Sequence, residues 1–503
     1  MADSKDGNKM KNTGSINSHP IVSDAAALRV TARAGIFFDG TGNNRCNSRI
    51  GADCQALMEI NGNRHIQECA GRHADPGSSY SNDRTNIARL VDLYRDQPVA
   101  ANDGTGLRVY WPVYISGVGT TSGSRDSLWP GQSFGRGPTG VVAKVERAIK
   151  KLDACLRAFP EQNPGCVIEA IELDVFGFSR GAASARHFVN EMLKQSTGLL
   201  APVLASRKLR LSDDFGWKAG SVRVKVIGLF DTVAAIGSLK DLGSVCDADN
   251  RHVNLYLPPG CAQQVLHLVA RDELRRNFAL NSIRPVWPQE IVLPGAHADI
   301  GGGYLAQMNE NVLLTRPRLD NLHSGKKSLP TPTWVAAHAE LSRMDASRWI
   351  DPLDTQASLR VQAWDAQCRS LGRAAFGGRC TVVAVCLQRQ VFGHLSRVHL
   401  RVMHALACDE GVPFKPVPET QELGLPPELE GVAHKLIDYA RGGRYTLSDH
   451  EEQMLRWRYI HHSAHWNAAV GRLGRLSDAV FVHAPQVGGR ILHPNIGQPG
   501  YPD

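Results

Sequence analysis

The stretch LDVFGFSRGAASARHF, residues 173–188, holds a serine between two glycines in the order Gly177-Phe178-Ser179-Arg180-Gly181. An apolar, strand-like run precedes Ser179, and a segment with helical spacing follows it. A nucleophile elbow needs this arrangement, because its sharp strand-to-helix turn tolerates only small residues two positions either side of the nucleophile. The G-x-S-x-G pattern alone also occurs by chance, so an ordinary turn serine is the alternative. The rest of the sequence must supply the other groups of a catalytic site.

Several apolar runs alternate with helix-like segments along the chain. The runs are LRVTARAGIFFDG (28–40), AIELDVFGF (170–178), SVRVKVIGLFDTVAAIG (221–237) and QEIVLPGAHADIGGGY (289–304). This alternation predicts the α/β class, with a mostly parallel sheet and helices on both faces. In such sheets functional groups collect beyond the carboxyl ends of the strands, where Ser179, Asp231 and His297 are all expected.

A serine becomes a nucleophile at neutral pH when a histidine takes its proton and a carboxylate orients that histidine. In hydrolases with an elbow of this kind the chain order is serine, acid, histidine. Asp231 and His297 fit that order. Asp231 could instead cap a helix, and His297 could be a loop histidine bonded to Asp299. Together, and in the required order, they favour catalysis.

Other histidines compete for the role of base. His461, His462 and His465 form a cluster in YIHHSAHW, and His187 follows the elbow. No acidic ligand lies near the cluster in sequence, so a metal site there is disfavoured, and His187 is expected to be structural. Asp299 is the rival acid, but it lies too close to His297 in sequence to reach the outer ring nitrogen. We predict neither a metal nor a cofactor.

The oxyanion formed during ester cleavage needs two N–H donors. The backbone N–H of Arg180, directly after Ser179, is the first prediction. The loop in FFDGTGNN (37–44) supplies the second, from Asp39 or Gly40. That glycine-rich loop could instead bind phosphate, but it lacks the lysine and the spacing of nucleotide-binding motifs.

The 503-residue chain carries a formal net charge of +8, a mild excess without the basic runs that track nucleic acid. Its polar N-terminus lacks the apolar core of a secretory signal, which predicts synthesis in the cytoplasm without a signal peptide. No run is apolar enough to span a bilayer. We predict a loose tail (1–28), a catalytic core (29–305) with a surface insertion near 45–85, and a mainly helical region (306–503) packed on or capping the core.

Five motifs in this order resemble the catalytic domain of the first family of type VI secretion lipase effectors: FFDGTGNN, GFSRGAASAR, GLFDTVAAIG, LVARDELRRNF and PGAHADIGGGY. The resemblance runs from about Ile36 to Tyr304, with weaker echoes in FGHLSRVHLRVMHALA and RYIHHSAHW. It implies an α/β-hydrolase fold and the same triad of Ser179, Asp231 and His297.

The resemblance also implies phospholipase A activity on membrane glycerophospholipids. It further implies delivery into the periplasm of competitor bacteria by the type VI system, a spike protein as carrier and a cognate immunity protein. Two alternatives remain open: a carboxylesterase acting on small esters that is not an effector, and a non-enzymatic binding module that kept the fold.

Overall fold

A computed structural model describes residues 27–50, 52, 79, 81–120, 122, 139–234, 253–321, 331–368, 378–468 and 481–497. The predicted tail (1–28) lies almost wholly outside the described residues, as does most of the predicted insertion (45–85). Among the residues that are described, no helix is both long and apolar enough to cross a bilayer.

The centre of the molecule is a seven-stranded sheet with strand order β2-β3-β1-β4-β5-β6-β8. All neighbouring strands in it are parallel except β2 and β3. This confirms the predicted α/β class and mostly parallel sheet. The strands of the first part of the chain are β1 (Leu28–Phe38), β2 (Gln97–Asn102), β3 (Leu107–Ile115), β4 (Cys166–Phe178), β5 (Val222–Phe230), β6 (Gln264–Ala270), β7 (Leu280–Asn281) and β8 (Glu290–Leu293).

The middle strands are apolar on both faces, as expected for parallel strands that are covered on both sides. In β4, Leu173 and Val175 belong to one buried cluster, whereas Phe176 and Phe178 belong to another. The first cluster joins the sheet to α2 (Val141–Gln162) and α3 (Arg180–Leu193). The second joins it to α1 (Asn86–Leu93) and to helices from the C-terminal part of the chain. Helices therefore cover both faces of the sheet.

The remaining helices are short or lie toward the C-terminus. They are α4 (Ala201–Leu204), α5 (His297–Gly301), α6 (Pro332–Leu341), α7 (Leu395–Asp409), α8 (Pro427–Ala440) and α9 (Asp449–Arg458). Val398, Val402 and Met403 of α7 are fully buried in the second cluster, together with residues of β5 and β6. This helix comes from the region predicted to pack on or cap the core, and it contributes to the same buried cluster as β5 and β6.

The region after residue 305 also contains a sheet. It consists of β9 (Met308–Leu313), β10 (Arg318–Asn321), β11 (Ser358–Cys368) and β12 (Gly378–Val391), with β9, β10 and β11 all antiparallel to β12. The β-rich run CTVVAVCLQRQVF (380–392) predicted β12 alone. Its partner strands are short or polar, so the sequence pattern did not predict them, and we expected this region to be mainly helical.

The end of the described chain forms a separate two-stranded sheet with a short strand from the segment between β6 and β8. The short strand β13 (Leu492–His493) pairs in parallel with β7. Further bonds join the two segments, among them from the N–H of Arg276 to the carbonyl of Ala484. Residues 481–497 therefore lie against the chain that leads from β6 to β8.

Candidate active site

Ser179 occupies the sharp turn between β4 and α3. Its backbone has φ 57° and ψ −125°, a conformation that residues other than glycine rarely adopt. Such strain costs on the order of 1–3 kcal/mol and persists only where the surroundings enforce it. Here the N–H of Ser179 donates to the carbonyl of Phe230, at the end of the neighbouring strand β5. The predicted strand, turn and helix are all present.

The two glycines of the motif are required by close backbone packing. A Cβ on Gly181 would lie 2.3 Å from the carbonyl oxygens of Phe38 and Asp39. A Cβ on Gly177 would lie 2.5 Å from the carbonyl oxygen of Gly181. These distances are far shorter than normal van der Waals contact. The G-x-S-x-G pattern is therefore explained sterically at both glycine positions.

Asp231 and His297 meet beyond the ends of β5 and β8. Asp231 directly follows β5 and has a positive φ of 42°. His297 is the first residue of α5. The Nδ1 atom of His297 lies 2.5 Å from Oδ2 of Asp231. Both side chains are buried, so the structure brings the predicted acid and base into direct contact.

Ser179 and His297 line one cavity of about 530 Å³. Among the described residues Ser179 Oγ forms no hydrogen bond, to His297 or to any other group. Bonds between nucleophile and base are often long before substrate binds. The wall is part apolar and part polar, and includes Thr41, Phe178, Val233, Phe278, Tyr304 and Val482.

Asp231 is held as a carboxylate by several donors. Burial alone would raise its pKa, but the Arg490 guanidinium and His297 hold that pKa well below its usual range. Arg490 donates to both carboxylate oxygens, at 2.7 and 2.8 Å, and the N–H of Ala270 donates to Oδ1 at 3.0 Å.

The imidazole of His297 has a mixed environment. Burial lowers its pKa, and the hydrogen bond to Asp231 opposes part of that effect. The rings of Phe178 and Phe278 flank it at centroid distances of 4.7 and 4.9 Å. A buried imidazole oriented by a carboxylate can act as a general base toward a hydroxyl in the same cavity.

Comparison with known proteins shows the family to which this chain belongs. A family model for the catalytic domain of Tle1-like type VI secretion phospholipase effectors matches residues 208–323, which include Asp231 and His297. The solved structure of the Tle1 effector bound to the VgrG spike of the type VI secretion system is 30% identical in sequence. The match covers 93% of this chain and 94% of that chain, with a TM-score of 0.68. The chain belongs to the Tle1-like family of phospholipase effectors. This confirms the family predicted from the five motifs.

Other comparisons add little to the Tle1-like assignment. An uncharacterised protein from Pseudomonas aeruginosa matches at 20% identity, over 86% of this chain and 53% of that chain, with a TM-score of only 0.34. No curated protein matches the chain.

The residues predicted as oxyanion donors of this Tle1-like chain lie close together at the elbow. Nε of Arg180 donates to Oγ1 of Thr41 at 2.7 Å. The N–H of Asp39 donates to the carbonyl of Ile115, and that of Gly40 donates to the Asp39 carboxylate at 2.7 Å. Both of these amides are therefore occupied. The amides of Arg180 and Thr41 form no hydrogen bond within the described part of the chain.

Asp39, predicted as a possible oxyanion donor, holds its own loop in place through its side chain. Its carboxylate accepts hydrogen bonds from the hydroxyls of Thr85 and Tyr114 as well as from the Gly40 amide. Burial raises the pKa of this carboxyl, and these donors oppose the rise. Asp39 thus ties the loop to β3 and to the start of α1.

The rival groups are engaged elsewhere. Asp299 bonds to Nδ1 of His461 at 2.7 Å and forms no hydrogen bond to His297. Nδ1 of His187 accepts from the amide of Asn254, which fits a structural role. No group of three or more metal-ligating side chains occurs in the described ranges, which include the histidines at 461, 462 and 465.

Two groups at the site were not predicted individually. Arg490 lies 259 residues from Asp231 in sequence and belongs to no recognisable motif. Glu273, within LVARDELRRNF, accepts hydrogen bonds from the backbone N–H of His297 and from Arg275. Burial opposes its ionisation, but Arg275 holds the pKa of Glu273 at about 2. Glu273 therefore fixes the start of α5. Its motif lies between Asp231 and His297 in the sequence, and that position was the signal from which Glu273 could have been predicted.

Proposed function

We propose that the chain is a serine-dependent phospholipase A with an α/β-hydrolase fold, acting on fatty acyl esters of membrane glycerophospholipids. The observation that carries the proposal is the strained Ser179 at an elbow, in the same cavity as a histidine that is hydrogen-bonded to a buried aspartate. Membership of a phospholipase effector family supports the substrate class.

The mechanism follows from the positions of these groups. Ser179 Oγ attacks the ester carbonyl while Nε2 of His297 takes its proton. Asp231 holds the Nδ1–H of the imidazole and stabilises the positive charge that forms there. The backbone amides of Arg180 and Thr41 donate to the oxyanion, in place of the occupied amides of Asp39 and Gly40.

Collapse of the tetrahedral intermediate breaks the ester bond. The lysophospholipid leaves with the proton from His297, and the fatty acyl group stays on Ser179. Water, activated by the same histidine, then attacks the acyl-serine, releases the fatty acid and restores the hydroxyl.

The decisive experiment measures fatty acid release from phosphatidylglycerol and phosphatidylethanolamine vesicles. Ser179→Ala should lower the rate by at least ~10³-fold, because the remaining groups act only with the nucleophile. Ser342→Ala, an exposed serine outside the cavity wall, is the matched control. Release at the wild-type rate by Ser179→Ala would exclude this mechanism. A preference for acetyl over long-chain p-nitrophenyl esters would favour the small-ester alternative.

We further propose that the protein is an antibacterial effector carried by a VgrG-type spike, since its structural relative was solved bound to one. Its site of action would be the periplasm, and an immunity protein would protect the producer. Production in a Gram-negative host with and without a fused export signal tests this proposal. Exported protein should lyse the cells and exported Ser179→Ala should not. Equal tolerance of both exported forms would contradict the proposal.

A further inference from the structure

The last described segment of the chain supplies a side chain to the proposed triad. Arg490 is 8% exposed, and its Nε donates to the carbonyl of Phe278 at 2.7 Å. Its two terminal nitrogens donate one hydrogen bond each to the two oxygens of Asp231. The neighbouring strand β13 fixes this segment to β7. The guanidinium is therefore fixed by its hydrogen bond to Phe278 while it donates to both oxygens of the Asp231 carboxylate.

We propose that Arg490 is a positioning residue that fixes the orientation and the charge of Asp231, so that His297 stays neutral and ready to accept the proton of Ser179. The inference rests on the proposed serine mechanism and deepens it. Arg490 is not part of the wall of the cavity that Ser179 and His297 line, so it would act through Asp231.

Arg490 restrains the orientation of the Asp231 carboxylate. Each oxygen of the Asp231 carboxylate has one other partner, the Ala270 N–H at Oδ1 and His297 at Oδ2, and Arg490 adds a second donor to each of them. The planar fork of an arginine matches two carboxylate oxygens at once, which a lysine ammonium cannot do. With Arg490 bonded to both oxygens of Asp231, Oδ2 lies 2.5 Å from Nδ1 of His297. This contact sets the tautomer that leaves Nε2 free to accept a proton.

Arg490 also contributes to the balance of charge around Asp231. Asp231 interacts electrostatically with Arg490, His297, Arg275 and His267, and His297 interacts in addition with Arg275 and Glu273. Arg275 and Glu273 pair with each other, at 2.8 Å. Without Arg490, the hydrogen-bonded group left to balance the buried Asp231 charge is a protonated His297, because Arg275 is paired with Glu273. A protonated imidazole cannot act as a base, so the acidic limb of the pH–rate profile should move to higher pH.

The experiment compares Arg490→Met and Arg490→Lys in the full chain, using kcat and KM for a soluble p-nitrophenyl ester from pH 4 to 9. Arg490→Met should lower kcat by about 10²-fold with little change in KM. Its acidic limb should rise by about one pH unit. Arg490→Lys keeps the charge but loses the fork, so kcat should fall while the acidic limb stays near that of the wild type.

Arg33→Met is the matched control. Arg33 forms the same kind of buried two-point contact with Asp174, at 2.8 and 3.0 Å, in the body of the sheet. Its loss should lower stability without moving the acidic limb. A folded Arg490→Met with wild-type kcat and an unchanged acidic limb would overturn the proposal. If that variant does not fold, a wild-type kcat in Arg490→Lys would overturn it instead.

A second readout does not depend on catalysis. The His297 imidazole can be titrated by NMR in both proteins, with its signal assigned by comparison with His297→Gln. Its pKa should be higher in Arg490→Met than in the wild type, and equal values would refute the inference. An inactive wild type would count against the proposed function, whereas this titration would still decide the role of Arg490.

Discussion

Gly181→Ala is the sharpest test of the elbow, because the added methyl group meets backbone that cannot rotate away. Its Cβ would lie 2.3 Å from the carbonyl oxygens of both Phe38 and Asp39. Relief needs the start of α3 and the end of β1 to separate by about 1 Å. Overpacking of this kind costs about 1–3 kcal/mol of stability. The amides of Arg180 and Thr41 lie on the two parts that must separate, so we expect kcat to fall by about 10²-fold.

Gly431→Ala is the control for this substitution. Gly431 lies inside α8, and a Cβ there would have open space around it. Alanine at a helix interior should raise stability by about 1 kcal/mol and leave kcat unchanged. Urea unfolding and ester hydrolysis, measured on both variants at one pH, give the comparison. Wild-type stability and kcat in Gly181→Ala would show that the close packing at the elbow has no part in the site.

Two further predictions follow from the buried titratable groups. Asp231→Asn should keep the fold, as judged by circular dichroism, yet lower kcat by about 10⁴-fold, because an amide favours the wrong tautomer of His297; a loss under tenfold would contradict this. Burial lowers the pKa of both His187 and His462 to about 4, so between pH 6.5 and 4 the unfolded chain binds more protons than the folded one. The urea midpoint should therefore fall as the pH is lowered from 7 to 5, and an unchanged midpoint would show that these rings are not buried as neutral groups.

The sequence was most informative where one short segment carries its own geometry. The run before Ser179, the two glycines and the following helix are contiguous, so pattern alone predicts the elbow. Asp231 directly follows an apolar strand and His297 comes four residues after the end of another, and the carboxyl ends of parallel strands share one edge of a sheet. Local patterns therefore predicted the residues that the structure brings together, with His297 in the same cavity wall as Ser179 and in contact with Asp231.

Sequence was least informative where contacts are distant in the chain. Which backbone amides around Gly40 remain free depends on two bonds: the Gly40 amide donates to the Asp39 carboxylate, and the Asp39 amide donates to the Ile115 carbonyl. Motif spacing does not encode these bonds. Arg490 reaches Asp231 only because β13 pairs with β7. Helix α7 joins the core from beyond the predicted boundary because its apolar face fits the uncovered side of β5 and β6.

The strain at the proposed site is held by the sheet itself. Ser179 and Asp231 both have positive φ angles immediately after a strand, where a relaxed chain would not keep them. The N–H of Ser179 donates to the carbonyl of Phe230 on β5, and the N–H of Asp231 donates to that of Leu268 on β6. In the same way, the N–H of Arg271, directly after β6, donates to the carbonyl of Leu293 at the end of β8, four residues before His297. Each strand end thus restrains the next, so the proposed nucleophile, acid and base are spaced by the hydrogen bonds of the sheet and not by three independent loops. Loosening any one of these strand ends should therefore disturb all three groups together.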